Sequence, residues 1–439
     1  MKTFSDSGIL IPDILLPKNI DLKSWSVIAC DQYTQDRAYW EKAAVAADGK
    51  PSTINLILPE VYLSDSDKEE RIARIKTTMQ QYIADGVFAP AQHGFIYVER
   101  RTAYGRVRHG LVAAVDLETY EWKPFSKSLV RATEATIVER IPPRREIRNG
   151  APLELPHIML LVNDPERVLV EGTGSMLKAD GVPPVYDGDL MLNGGSITGR
   201  VVPEKMNGSV LASLDRIAEA NTAADGSTFL FAAGDGNHSL ATAKAVWDEY
   251  KTTLNTGERG TSRVRYALVE IVNIYDTGLT FEPIHRVLFG ADTAELIAAL
   301  KSKLGGSVSE CGNAAELENA VKSSAAAFGF VHTEAGKTMY ELLSTPVTEL
   351  AVAHFQPVVD EFIKTGGKSG RKITIDYIHG GGEVMKLGSK PETTGILLPP
   401  VDKDSFFATI SSRGPLPRKS FSMGEADEKR FYLECRKLF

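Results

Sequence analysis

The sequence predicts a mixed α/β (α+β) fold. A central mixed-sheet domain carries a strand–glycine turn–helix anion site, and a small ferredoxin-like α+β subdomain accompanies it. Three observations predict this. First, Phe229 to Ala233 is a short unbroken apolar run, as in strands covered on both faces. It enters Gly234-Asp235-Gly236 and then a helical pattern bearing Ala241, Ala243, Val246 and Trp247. Second, the apolar period falls to two in Phe95–Arg100 and Arg106–Val115, on either side of Thr102–Gly105, which marks a hairpin. Third, residues 292–343 run helix, strand, helix, hairpin, the order of a ferredoxin-like unit.

At 439 residues the chain can bury a large core, and its length suits two to three domains. Its composition, 43% hydrophobic and 24% charged, is that of an ordinary globular protein. The net charge of -7 argues against a general nucleic-acid surface. Three cysteines, Cys30, Cys311 and Cys435, are too few and too scattered for a disulfide framework, and they fit a reducing compartment. The apolar run Ile9–Leu16 is broken by Pro12 and Asp13, so it does not read as a secretory leader, and no run is long enough to span a bilayer. A cytoplasmic location is expected.

Taken in order, residues 8–17 read as an extended arm with Pro12 and Pro17. Trp25–Cys30 reads as a short strand. It enters the polar turn Asp31-Gln32-Tyr33-Thr34, whose Asp31 is either a ligand contact or a helix start. Asp65–Asp85 has Ile72, Ile75, Met79 and Tyr82 at helical spacing. A basic stretch follows the hairpin: Arg131, Arg140, Arg144, Arg145 and Arg148, interleaved with Glu134, Glu139 and Glu146. It is either a self-paired solvated surface or a source of arginines for the anion site, with Arg131, Thr133 and Glu134 the nearest candidates. His157–Val162 is a buried strand, Ser209–Ala220 a helix, and Tyr266–Ile274 a strand. Leu279–Phe289 is another strand, and it carries His285 and Arg286. Gly336-Lys337-Thr338 lies in a hairpin and lacks the spacing of a phosphate loop. Val347–Lys364 is a helix, Ile373–Ile378 a strand ending at His379 and three glycines, and Pro415–Ser420 a rigid basic turn with Arg418 and Lys419. Four segments are expected: 1–125, an N-terminal α/β part; 126–290, the central region with the Asp-Gly-Asn-His turn; 291–345, the ferredoxin-like subdomain; and 346–439, completing the core.

The chemistry centres on Gly234–Ser239. Gly234 and Gly236 allow a sharp turn and a close approach to a ligand. Asn237 or Ser239 can cap the following helix, whose N-terminal N–H groups suit an anion. Asp235 and His238 stand beside that anion as an acid and an imidazole. His285-Arg286, His379 and Arg418-Lys419 also fall at strand ends, where ligands of open sheets bind. Each histidine taken alone is more often a satisfied structural residue than a ligand contact.

The residues Ala29–Tyr33, Leu56–Tyr62, Arg131–Glu134, Leu155–Met159, Asp235–Ala243, Pro283–Arg286, Tyr377–Gly380 and Pro417–Ser420 carry a resemblance. Through them the chain resembles, over essentially its whole length, the uncharacterised family called domain of unknown function 1015. Its central motif is also similar to the Asp-Gly-His-His-Arg turn of ParB-like domains, a group that includes free-serine kinases. That resemblance implies that Asp235 assists catalysis or holds Mg²⁺, and that Gly236, Asn237 and His238 line a phosphate. The chain departs from the motif at Asn237 and Ser239, where the first His and the Arg would stand, so Arg286, Arg131 or Arg418 would have to supply the guanidinium.

The expected function is cytoplasmic phosphoryl transfer to or from a small hydroxy amino acid or its phosphate, such as serine or phosphoserine, with ATP or ADP and Mg²⁺. Asp235 and His238 are the expected catalytic pair. Gly234, Gly236, Asn237, Ser239, Arg131, Thr133, His285, Arg286, Arg418 and Lys419 are expected to bind phosphate or nucleotide, and Asp31, Glu134 and His379 to line the pocket. The alternatives are a non-catalytic nucleotide or metabolite sensor and a nucleotide-independent phosphatase. The expected partner is a small molecule, not nucleic acid or membrane, and a homo-oligomer stays open.

Overall fold

The period-two segment builds two adjacent strands of the first unit's main sheet. In a computed structural model that describes residues 7–136, 141–368 and 370–439, it forms β1 (Ile96–Arg101) and β2 (Val107–Asp116). Tyr97, Leu111 and Ala113 enter one core, while Ile96, Val98 and Val112 enter another. Successive side chains of a strand point to opposite faces, so a strand that feeds two cores has both faces covered. Further strands join the pair: β3 (Tyr120–Glu121), β4 (Val130–Ala132), β5 (Met159–Val162), β6 (Tyr186–Asp189), β7 (Ser196–Val201), β8 (Phe231–Asp235) and β9 (Tyr266–Asn273). Their order is β6-β7-β1-β2-β9-β5-β8-β4-β3, and Ile9–Leu10 pairs with β2. β8 runs parallel to β4 and antiparallel to β5, so the sheet is mixed, as expected.

Helices α1 (Val170–Ala179), α2 (Glu204–Ala220) and α3 (Asn237–Tyr250) bury Leu177, Leu214 and Leu240 in the first core. The second core is built largely from the helical segments Leu22–Trp25, Arg37–Ala47, Thr53–Leu56 and Lys68–Ala84, with Trp25, Trp40, Leu56 and Met79 packed against Phe431 and Leu433. Here one expectation fails. Trp25–Cys30 is not a strand: Trp25 closes a short helix, Leu22–Trp25, and Ile28 makes an isolated bridge to Phe431. A short apolar run shows burial, and burial alone does not distinguish a strand from buried loop.

The chain divides into two units, 7–279 with 424–439 and 280–423. The second has its own sheet of β10 (His285–Phe289), β11 (Ser307–Glu310), β12 (Ala327–Glu334), β13 (Lys337–Ser344), β14 (Thr374–Ile378) and β15 (Thr393–Leu397). The order is β11-β13-β12-β15-β10-β14, antiparallel throughout. This sheet draws strands from both sides of 291–345. Ala335 and Gly336 both take positive φ between β12 and β13, as a two-residue hairpin turn requires. Among the described residues no helix is long and apolar enough to cross a membrane.

Residues 424–439 re-enter the first unit as a buried tail. Phe431, Leu433 and Cys435 join the second core, and beside them in the chain stand Arg430, Glu434 and Arg436, each under 4% exposed. Arg430 pairs with Glu270 of β9 and donates to Glu434 Oε2 at 2.6 Å, while Tyr186 donates to Glu434 Oε1 at 2.6 Å. Arg436 pairs with Glu154, which also accepts from Arg148 at 2.6 Å. Burial alone would raise the Glu270 carboxyl, but Arg430 and Arg108 override it and hold the group below the usual carboxylate range. Removing one member leaves an unpaired buried charge. Arg430→Ala should therefore destabilise the protein by roughly 3–5 kcal/mol in urea unfolding, far more than loss of a surface arginine. A loss below about 1 kcal/mol would mean that this network does not hold the tail.

Candidate functional site

The turn forms where the sequence places it. β8 ends at Asp235, and Gly236 adopts φ 72° before α3 begins at Asn237. A Cβ on Gly236 would stand 3.0 Å from Ile158 Cα and 3.4 Å from His157 Cδ2, so glycine is needed both for the left-handed conformation and for the close approach. The expected side-chain cap is absent: Gly236 occupies the cap position and makes no side-chain cap bond. Asn237 is instead the first helical residue, and its side chain turns back. Its Nδ2 donates to Ala233 O at 3.0 Å and to Thr133 Oγ1 at 3.1 Å, and its Oδ1 accepts from Thr133 N at 3.3 Å. Thr133 also donates to Ala233 O at 2.6 Å. Thr133 and Asn237 thus clamp the ends of two parallel strands, and the hydrogen-bonding groups expected to meet phosphate are engaged in that clamp.

A helix start has N–H groups that no intrahelical carbonyl can meet. Leu240 N donates to Gly236 O at 2.9 Å, whereas the N–H groups of Asn237 and Ser239 meet no acceptor among the described residues. Asp235 lies at this end of the helix. Its Oδ1 accepts from Gly236 N at 2.9 Å and its Oδ2 is 3.6 Å from Lys429 Nζ. Lys429 comes from the tail and has no counterpart in the local motif. His238 is half-buried, and its carbonyl accepts from Thr242 Oγ1 at 2.7 Å.

A second constellation lies beside the turn. Ser239 Oγ is 2.7 Å from His157 Nε2, and His157 Nδ1 is 2.8 Å from Tyr432 OH. The two rings meet edge to face, with centroids 5.5 Å apart. Tyr432 OH also accepts from Cys30 N at 3.2 Å, and Asp31 Oδ2 is 3.9 Å from His157 Nε2. Burial, and then the Asp31 and Glu60 carboxylates, push the Cys30 thiol well up, so it is not a thiolate at neutral pH. Ser239 and His157 line a cavity of about 140 Å³ walled by Leu58, Met79, Leu153 and Leu268, with the Glu60–Arg144 ion pair and Tyr432 among its polar lining.

Of the predicted residues, the first unit therefore brings together Gly234, Asp235, Gly236, Asn237, His238, Ser239, Thr133 and Asp31. Arg131 is turned elsewhere: its guanidinium lies 4.5 Å from the Phe229 ring centroid and its Nε donates to Ser128 O. Glu134 continues the loop beyond Thr133 and is half-buried. The later, described part of the basic stretch is ion-paired, but with partners outside it rather than with its own glutamates: Arg144 on Glu60, Arg145 on Glu249, Arg148 on Glu154 and Glu146 on Lys68. Glu139 and Arg140 lie outside the described residues. His285, Arg286, His379, Arg418 and Lys419 belong to the second unit. There Arg286 donates to Gln356 and lies over Tyr377, as does Lys419 Nζ at 5.7 Å. His285 Nδ1 accepts from Leu398 N at 3.1 Å, and burial, then Arg286, lower its pKa from 6.5 to about 4. His157, Tyr432 and Lys429 carry no functional signal in the sequence.

Metal binding is limited by the donor set. Among the described residues no group of three His, Cys, Asp or Glu side chains could hold an ion. One carboxylate, Asp235, stands at the helix end. That does not make a protein-held metal cage, but it fits Mg²⁺ held mainly by substrate phosphates, which needs only one or two carboxylates.

Fold and site define a mixed α/β protein with an uncapped strand–turn–helix cradle flanked by an acid, a lysine and a serine–histidine pair. The chain belongs to the family described as "Protein of unknown function (DUF1015)", whose model matches residues 14–362. No curated protein matches it. Among solved structures, it is similar to a free serine kinase in complex with AMP, at 12% identity and a TM-score of 0.37, covering 74% of this chain and 92% of that one. It is also similar to a conserved hypothetical protein from Pyrococcus furiosus, at 12% identity and a TM-score of 0.33, covering 73% and 90%. SbnI with a C-terminal truncation from Staphylococcus aureus is similar at 13% identity and a TM-score of 0.27, covering 63% and 85%.

Gly236→Ala should cost roughly 1–3 kcal/mol in urea unfolding, from positive φ and the contact with Ile158. Unchanged stability would show that the turn relaxes freely. In the second unit, His285 is held neutral, so its contribution is complete above pH 6.5 and is lost as pH falls towards 4. The loss approaches about 3 kcal/mol at the acid end. His285→Asn, which keeps an acceptor for Leu398 N, should flatten the stability–pH slope between about pH 6.5 and 5. An identical slope in the variant would assign the pH dependence to other groups.

Proposed function

We propose that the chain is a cytoplasmic phosphoryl-transfer enzyme acting on a small hydroxy amino acid or its phosphate, with serine or phosphoserine the first candidate and ATP or ADP with Mg²⁺ as partner. The observation that carries this reading is the uncapped start of a 14-residue helix with an acid and a lysine beside it. The N–H groups of Asn237 and Ser239 and the positive helix end favour bound phosphate, and Lys429 adds a full charge. Asp235 orients the attacking hydroxyl or holds the Mg²⁺ that neutralises phosphate charge. His238 contacts the transferred group. Gly236 lets phosphate approach the backbone. Catalysis on this reading is positioning plus charge neutralisation, with little covalent work for the protein.

Phosphorus NMR on the full chain with Mg²⁺ tests it. One sample holds phosphoserine and ADP, a second serine and ATP, and each has a control without nucleotide. Phosphate moving between serine and nucleotide is the expected result. Release of phosphate from phosphoserine without nucleotide identifies a phosphatase instead, and nucleotide binding without turnover identifies a sensor. Asp235→Asn should lower turnover by roughly 10²- to 10⁴-fold while the unfolding transition is retained. Turnover near wild type in that variant removes Asp235 from the chemistry.

A further inference from the structure

Of the turn residues 234–239, Ser239 is the one that lines the apolar cavity; Asp235 and His238 do not. Ser239 therefore belongs to two environments. Its own N–H meets no acceptor among the described residues, and its hydroxyl is 2.7 Å from a histidine that is 7% exposed. We propose that Ser239 is a covalent phosphoryl relay, taking the group from a donor at the turn and passing it to the hydroxyl of a small acceptor seated in the cavity, with His157 as its proton partner. This rests on the phosphoryl-transfer reading above and replaces direct transfer with two steps.

The chemistry of the neighbours supports this choice of nucleophile. Cys30, also in the cavity lining, is held as a thiol, and burial pushes the Tyr432 hydroxyl well above its ordinary range. Ser239 has a base in hydrogen-bond reach, and that base is oriented by a third group, Tyr432, at its other ring nitrogen. Asp31 at 3.9 Å stabilises the imidazolium formed when His157 takes a proton. A phosphate on a first-turn serine also gains from the positive helix end.

In the first step Ser239 Oγ attacks the terminal phosphorus of a nucleoside triphosphate. The Oγ–P bond forms, the bond from phosphorus to the bridging oxygen breaks, and the nucleoside diphosphate leaves with that electron pair. The Ser239 proton passes to His157 Nε2. In the second step the acceptor oxygen attacks phosphorus and the P–Oγ bond breaks. Oγ recovers its proton from His157, and the acceptor's hydroxyl proton leaves to solvent.

The test incubates the full chain with Mg²⁺ and γ-labelled ATP, without acceptor. Intact mass and peptide mapping read the label, and in a parallel sample the appearance of adenine-labelled ADP in the ATP pool reads reversibility. The expected result is one phosphoryl group on Ser239 and acceptor-independent exchange. Ser239→Ala should lose both by at least about 10²-fold, His157→Gln should slow both, and Ser239→Thr should keep measurable label. Thermal unfolding of each variant separates these losses from misfolding, and Ser239→Thr remains informative if Ser239→Ala fails to fold. Label at Ser239 from phosphoserine alone also supports the relay, with a phosphomonoester as donor. Transfer to an added acceptor with no labelled intermediate and no exchange overturns the relay and leaves the phosphoryl-transfer reading standing. Absence of any transfer in the wild type overturns both.

Discussion

The buried ion pair between Arg430 and Glu270 sets the position of everything chemical in the first unit. Arg430 is 2% exposed, and besides its two carboxylates it donates to Pro156 O at 3.1 Å, while its own carbonyl accepts from Ala29 N at 2.9 Å. One side chain thus ties the C-terminal tail to the central strand β9 and to the segment leading into β5, and its backbone ties the tail to the segment before Asp31. The arrangement needs room on the neighbouring strand. A Cβ on Gly110 of β2 would fall 2.4 Å from the Glu270 carboxylate, so only glycine lets that group cross the sheet face. Buried ion pairs contribute little net stability relative to apolar packing. Their consequence here is register: with Arg430 fixed, its neighbour Lys429 reaches Asp235, and Tyr432, two residues on, reaches His157.

Site geometry follows from that register. β5 and β8 are antiparallel neighbours, with Met159 opposite Asp235, so the approach to β5 and the exit from β8 lie at the same end of the sheet. His157 precedes β5 and Ser239 follows β8, and their contact is a consequence of the pairing. Thr133 arrives by the same logic, since β4 runs parallel to β8 and leaves it at the same end. Three strand ends and one tail therefore meet around a single helix start. The Thr133–Asn237 clamp fixes the strand ends by hydrogen bonds that do not involve the side chains of Asp235 or Ser239. Asp235 and Ser239 stand outside that clamp and meet Gly236 N, Lys429 and His157 instead.

What is legible in the sequence is what depends on near neighbours in the chain. The turn is readable because an apolar run, two glycines and an alanine-rich helix follow one another within about twenty residues. The hairpins are readable from period and turn residues. Asn237 reads as a cap because its residue type favours that role, but a tertiary partner, Thr133, takes its side chain instead. His157, Lys429 and Tyr432 are illegible as site residues. Their immediate neighbours (Pro156 and Ile158, Glu428 and Arg430, Phe431 and Leu433) form no local pattern of a site, and their positions arise from strand pairing and from the return of the tail. Trp25–Cys30 shows the reverse error, where burial imitates a strand.

The residue at position 239 sets the electrostatic character of the turn. An arginine there would place a full positive charge beside the helix end and would hold phosphate as a fixed clamp. Serine removes that charge and substitutes a small hydroxyl that hydrogen-bonds sideways to His157. The positive potential then comes from the backbone N–H groups and from Lys429, which already faces the Asp235 carboxylate. On the proposed phosphoryl-transfer reading, a site so arranged would bind phosphate less rigidly, with its acid, its lysine and its serine–histidine pair close to the ligand. On that reading the balance would suit turnover better than retention, because a group that must leave again is poorly served by an unopposed guanidinium. The substitution is also local, and it leaves the clamp, the glycine contact and the ion pair that positions the tail in place.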